Sequence, residues 1–119
     1  MVLLQLKADV VNSNFISVSY IGHLEKQSKD SVSIRDACII YEFAATDENK
    51  NTVLRYQFNT NSQTSVGVIE ISQDSILFMR DVKADEEIVF NYEQSRESFA
   101  KQREEIQKRI AEKKQAASI

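Results

Sequence analysis

Apolar and polar residues alternate with a period of two through much of the chain up to Tyr92. From Glu93 onward the pattern changes to a stretch rich in Glu, Lys, Arg, Gln and Ala, without Gly or Pro. A period of two marks a strand with one buried face, whereas the later composition favours helix. The expected fold class is therefore α+β, mainly β. It is an antiparallel sheet or sandwich-like β-meander of about six to seven strands, followed by one long C-terminal helix.

Leu4, Leu6, Ala8 and Val10 alternate with Gln5, Lys7 and Asp9 and predict a first strand, ended by the turn formers Asn12, Ser13 and Asn14. Residues 15–21 predict a second, with Ile16, Val18 and Tyr20 on one face. The polar stretch 23–36 reads as a long loop closing in a short strand at Val32 and Ile34. Residues 37–45 fit two patterns. Ile34, Cys38, Tyr41 and Ala45 would share a helix face behind a Ser33/Asp36 capping pair, while Ile39, Tyr41 and Phe43 would share a strand face. Leu54, Tyr56 and Phe58 alternate cleanly after the polar link 47–51, and two matched aromatic-rich segments joined in this way predict a hairpin.

Residues 66–72, 76–82 and 88–92 predict the strands of a meander, with a tight turn at Gln73 and Asp74. Gly67 falls inside the strand pattern and suggests a bulge. The helix is expected over 93–116, with Asn91 as N-cap and Gln94 reaching back to it. Glu97–Lys101, Glu104–Lys108 and Glu105–Arg109 are acid-before-base pairs one turn apart, each contributing a few tenths of a kcal/mol. The last residues, from Lys113, are expected to fray. The apolar stripe is narrow. Tyr92, Phe99 and Ile106 recur every seven residues, and Ile110 follows four later. Phe99, Ile106 and Ile110 are the residues assigned to partner binding, because a long helix needs a surface on which to rest its stripe. Its own sheet, a second copy or another protein would each serve.

A length of 119 residues fits one domain, 1–119, divided into a β-body (1–92) and the helix. The net charge of −3 is uneven. Residues 1–92 hold eight Lys and Arg against thirteen Asp and Glu, a net of −5, while 93–119 hold seven against five, a net of +2. Opposite signs favour docking of the tail on a body, its own or a neighbour's. The acidic body disfavours nucleic acid. The narrow stripe, lacking Trp, disfavours a membrane surface, and no apolar run is long enough to cross one. The first ten residues alternate and carry Lys7 and Asp9, so they do not read as a signal peptide. A lone Cys38 forms no internal disulfide, and a cytoplasmic location is expected.

Candidate chemistry is sparse. His23 has only Glu25 nearby, short of what a metal site or nucleophile–base pair needs. Cys38 lies among apolar residues, the setting of a buried, inert thiol. Asp81, Asp85, Glu86 and Glu87 lack the glycine of a calcium loop, and two glycines 45 positions apart make no phosphate loop. Residues 80–92 resemble the closing segment of SET-domain lysine methyltransferases, which runs through a Gly-Glu-Glu turn to an aromatic Tyr. Asp85 stands where that family has Gly, and no upstream Asn-His segment is present. A strand, acidic turn and strand accounts for the same letters, so no site is carried over.

No catalytic residue, metal ligand or cofactor is therefore assigned. The expected function is a non-enzymatic protein-binding module, homodimeric or holding a protein partner. A small chaperone or adaptor holding an extended client on its sheet is the alternative. Another is a ligand-binding barrel with Tyr20, Tyr41 and Tyr56 around a cavity.

Overall fold

The computed structural model describes residues 1–7, 15–60 and 67–117. The expected Ala8 and Val10 positions, the turn at 12–14 and the start of the strand at 66 lie outside the described residues. Among the described residues six strands and one helix follow in order: β1 (Val2–Leu6), β2 (Ser17–Gln27), β3 (Ser31–Thr46), β4 (Thr52–Asn59), β5 (Val68–Ser72), β6 (Ile76–Asp81) and α1 (Glu87–Ala117). Every strand pairing is antiparallel. The main order is β4-β3-β2-β1-β6, and β5 pairs with β3 beyond that path.

The β3–β4 hairpin forms as the alternation predicts, in unbroken register from Thr46↔Thr52 to Ile39↔Asn59. Its connection is organised by one side chain. Asp47 Oδ1 accepts from the backbone N–H groups of Asn49 and Asn51 at 2.9 and 2.8 Å, an aspartate doing the turn work that Gly or Pro often does.

The expected loop at 23–36 is instead the outer half of a long β2–β3 hairpin. Ser28 turns it, its N–H bonding the Ser31 carbonyl at 2.9 Å and its hydroxyl accepting from Ser31 N–H at 3.2 Å. The strand escaped the pattern because 24–30 are exposed on both faces, which removes alternation.

Two irregularities bend this hairpin, between Ile21 and His23 and between Leu24 and Lys26. Opposite the first, Asp36 adopts φ 55°. An extra residue there shifts the side-chain alternation of β3. Val32, Ile34 and Ala37 consequently enter one apolar cluster, and Cys38 and Ile40 the other. Gly22 permits the approach. A Cβ on it would lie 2.5 Å from Ile34 Cγ2 and 2.9 Å from the Arg35 carbonyl oxygen.

β5 and β6 do not form the expected meander. Ser72 pairs with Ser31 at the hairpin tip, and Ile76 pairs with Leu6 at the end of β1. Only the 3-10 turn Gln73–Ser75 separates them. Four residue steps reach at most about 14 Å. The corresponding span along a straight β2, from Ser19 to Gln27, would be roughly 27 Å. The hairpin therefore folds back over β1 and β6 and encloses Val2, Leu4, Val32, Ile34 and Ala37, with Tyr20, Ile69, Ile71, Ile76 and Met79 around them. Gly67 sits just ahead of β5 at φ +85°, its carbonyl accepting from Asp36 N–H at 3.2 Å. It is the entry to the strand rather than a bulge within it.

The opposite face of the sheet carries Leu3, Ile21, Cys38 and Ile40, covered by Val82, Val89 and Tyr92. The expected strand at 88–92 is the first turn and more of α1, which runs 31 residues. Asn91 is thus inside the helix and is not its cap. Ile88, Val89, Tyr92, Arg96 and Phe99 follow a helical spacing that the 88/90/92 alternation obscured, and Phe90 points outward. Burying Val89 and Tyr92 contributes about 3–6 kcal/mol before entropy. Helix entry is held by Glu86, whose carboxylate accepts from Lys83 N–H at 2.7 Å and from Arg80 at 3.0 Å. The helix persists to Ala117, beyond the expected fraying at Lys113.

Candidate functional site: the groove under an overhanging helix

α1 crosses the sheet transversely, and its contacts record the route. Val89 packs with Leu3 of β1 and Ile21 of β2. One turn on, the Tyr92 hydroxyl donates to the Asp36 carbonyl of β3 at 2.7 Å. Arg96 lies 3.5 Å from Asp36 Oδ1 and 5.8 Å from the Tyr92 ring centre. Ser95 then meets Thr60, just past β4, at 2.6 Å, and Cys38 Sγ at 3.8 Å. Phe99 and Gln102 face Leu54 and Tyr56 of β4 across a groove. Beyond that point the body ends and the helix continues. Every side chain from 100 to 117 is exposed.

The groove has two connected parts. One, of about 770 Å³, lies between β4 and the helix, with Phe58, Ser95 and Phe99 among its walls. The other, of about 540 Å³, lies over the sheet between Leu3, Ile40 and Glu42 on one side and Glu87 and Ile88 on the other. Tyr56, Phe58 and Asn91 line both. Leu54 and Tyr56 are 56% and 63% exposed, large apolar surface for two residues of one strand. Among the described residues, the outer edge of β4 has no strand beside it.

The three residues assigned from sequence to partner binding occupy different surroundings. Phe99 is half-buried on the groove wall. Ile106 and Ile110, 55% and 49% exposed, touch no part of the sheet face and stand on the free rod. From sequence Leu54 and Phe58 are residues of a hairpin strand and nothing more, and Tyr56 is a candidate only for the wall of a barrel cavity shared with Tyr20 and Tyr41. The signal for them was the outward half of an edge strand, and edge position is a tertiary property. Glu97–Lys101 and Glu105–Arg109 close as ion pairs at 3.2 and 2.7 Å.

The remaining candidates are structural in their placement. His23 lies within β2 rather than in the expected loop, 6.3 Å from the Tyr92 ring in an edge contact. Cys38 is fully buried. Burial pushes the Tyr92 hydroxyl above its ordinary range, with Arg96 opposing, so the phenol stays a donor. Tyr20 is also raised, first by burial and then by Tyr41. The three tyrosines do not share a cavity, since Tyr20 packs in the second cluster, Tyr41 stacks on Phe15 at 4.5 Å, and Tyr56 rims the groove. Asp81 closes β6, Asp85 and Glu86 lie in the link and Glu87 opens α1, so the four do not form a hairpin turn. Among the described residues no three His, Cys, Asp or Glu side chains converge as metal ligands, and no helix is long and apolar enough to cross a membrane. Compared with protein-family models, curated proteins and solved structures, the chain matches none.

Proposed function

We propose that this chain is a non-enzymatic protein-binding module whose working surface is the free part of α1 together with the groove beside β4, and whose basic form is a homodimer. The supporting observation is the overhang. An 18-residue helical segment, 100–117, keeps its apolar seam of Ile106 and Ile110 in water. Isolated helices of this length are marginal, and an apolar seam on such a rod serves a second surface. Charge agrees with self-association. Residues 100–117 carry six Lys and Arg against three Glu, a net of +3, and residues 1–99 carry a net of −6. The single buried cysteine asks for no oxidising environment, and a cytoplasmic setting belongs to the proposal.

The experiment is Phe99→Asp combined with Ile106→Asp, followed by light scattering and by affinity capture from lysate. The expected outcome is a fall in mass from two chains to one, and loss of captured proteins, with the β circular-dichroism signal retained. An unchanged mass and an unchanged set of partners removes the reading. The edge of β4, unpaired among the described residues and carrying the exposed Leu54 and Tyr56, favours a second reading, an adaptor or chaperone that adds an extended client as a strand.

A further inference from the structure

Resting on the homodimer reading, we propose that two copies pair β4 against β4 in antiparallel register about a two-fold axis at Tyr56, so that each overhanging helix lies on the sheet face of the other copy. Among the edges that the described residues leave unpaired, β4 is suited to this. It offers eight residues with one charge, Arg55, and no irregularity in its pairing with β3. β6 is shorter, ends in Arg80 and Asp81, and is irregular opposite Gln5 and Leu6. Long, flat, weakly charged edges are the ones that recruit another strand.

Symmetry restricts the register. A two-fold axis normal to an antiparallel pair keeps each side chain on its own face, so some residue must face its own copy. Only two such registers overlap seven of the eight residues. Centring on Arg55 sets two guanidinium groups opposite each other, which is destabilising. Centring on Tyr56 places Tyr56 against Tyr56 and Leu54 against Phe58, joining the two apolar strips into one.

The same axis puts both helices on one side of the continuous sheet. α1 leaves its own body over β4, and 103–117 extends about 22 Å further. That length spans roughly four strand spacings of the neighbour. Ile106 and Ile110 would then rest on a sheet face whose groove carries Glu42 and Glu87, under a rod of net positive charge. An eight-residue edge is a small contact beside the roughly 800 Å² per partner of a standard interface. The rods enlarge it.

The test is cysteine cross-linking with a copper–phenanthroline oxidant, read by mass on non-reducing gels and alongside light scattering. The parent chain, with only buried Cys38, is the control. Tyr56→Cys should form a covalent dimer, since self-facing Cα atoms lie about 4.5–5.5 Å apart, within disulfide reach. Leu54→Cys alone should not, its copies being about 14 Å apart. Leu54→Cys with Phe58→Cys should cross-link again. A dimer in light scattering that fails to cross-link at position 56 overturns the β4 register and leaves the homodimer standing. A single-chain mass at all concentrations overturns both.

Discussion

The Tyr92 hydroxyl donates to the backbone carbonyl of Asp36 across 2.7 Å, joining the second turn of α1 to the residue at which β3 takes a positive φ. The bulge at Asp36 frees that carbonyl from the strand ladder and turns it toward the helix. Two features that each cost stability alone, a positive φ and a buried phenol, thereby satisfy one another.

Tyr92→Phe should therefore destabilise the fold by about 1–2 kcal/mol, the bond itself plus a carbonyl left unsatisfied. Denaturant titration measures this, and helical circular dichroism at zero denaturant should not change. Burial raises the Tyr92 pKa. The raised value favours the neutral form, so its stabilisation is complete below the ordinary tyrosine range and is lost as pH climbs through the folded value. Tyr92→Phe should flatten that alkaline decline.

The glycines separate two kinds of requirement. Gly22→Ala would drive a Cβ into backbone as well as side chain, with the Arg35 oxygen at 2.9 Å and Ala37 Cα at 3.2 Å. A loss of about 3 kcal/mol is expected. Gly67→Ala meets open space and bears only the strain of φ +85°, about 1 kcal/mol. Equal losses in thermal melts would show that the bulge yields.

Deleting 103–119 should remove about half of the helical signal, since 103–117 is the outer half of Glu87–Ala117. The sheet signal and the protection of the Cys38 thiol from alkylation should both persist, because no side chain past Phe99 reaches the clusters. Exposure of Cys38 on truncation would mean that the rod supports its own body.

Glu86 anchors helix entry and its pKa is lowered, first by the Lys83 N–H and then by Arg80. A depressed carboxylate stabilises above the ordinary glutamate range, and that contribution disappears as pH falls through the folded value. The stability difference between the parent and Glu86→Gln should be present at neutral pH and vanish in acid. A difference that persists in acid would mean that charge is not what Glu86 contributes.

Much of this architecture was legible from local pattern. The alternation of Leu54, Tyr56 and Phe58, the turn chemistry of Asp47 and the charged repeat after Glu93 act over a few residues, where chain geometry alone decides what forms. Strands β1, β3, β4 and β6 and the outer helix follow from them. The seam of Phe99, Ile106 and Ile110 was visible for the same reason.

Other features depended on distant residues. The hairpin tip at 24–30 shows no alternation because neither of its faces is covered. The start of α1 at Glu87 rests on Val89 and Tyr92 finding Leu3, Ile21 and the Asp36 carbonyl. The separation of β5 and β6 rests on a bulge opposite Gly22 that bends the sheet far enough for three residues to cross it. Periodicity determined which residues are apolar on which side of each element. Only the folded chain decided which of those sides meet, because that depends on curvature summed over the whole sheet, and the same curvature left β4 at an edge with the helix projecting past it.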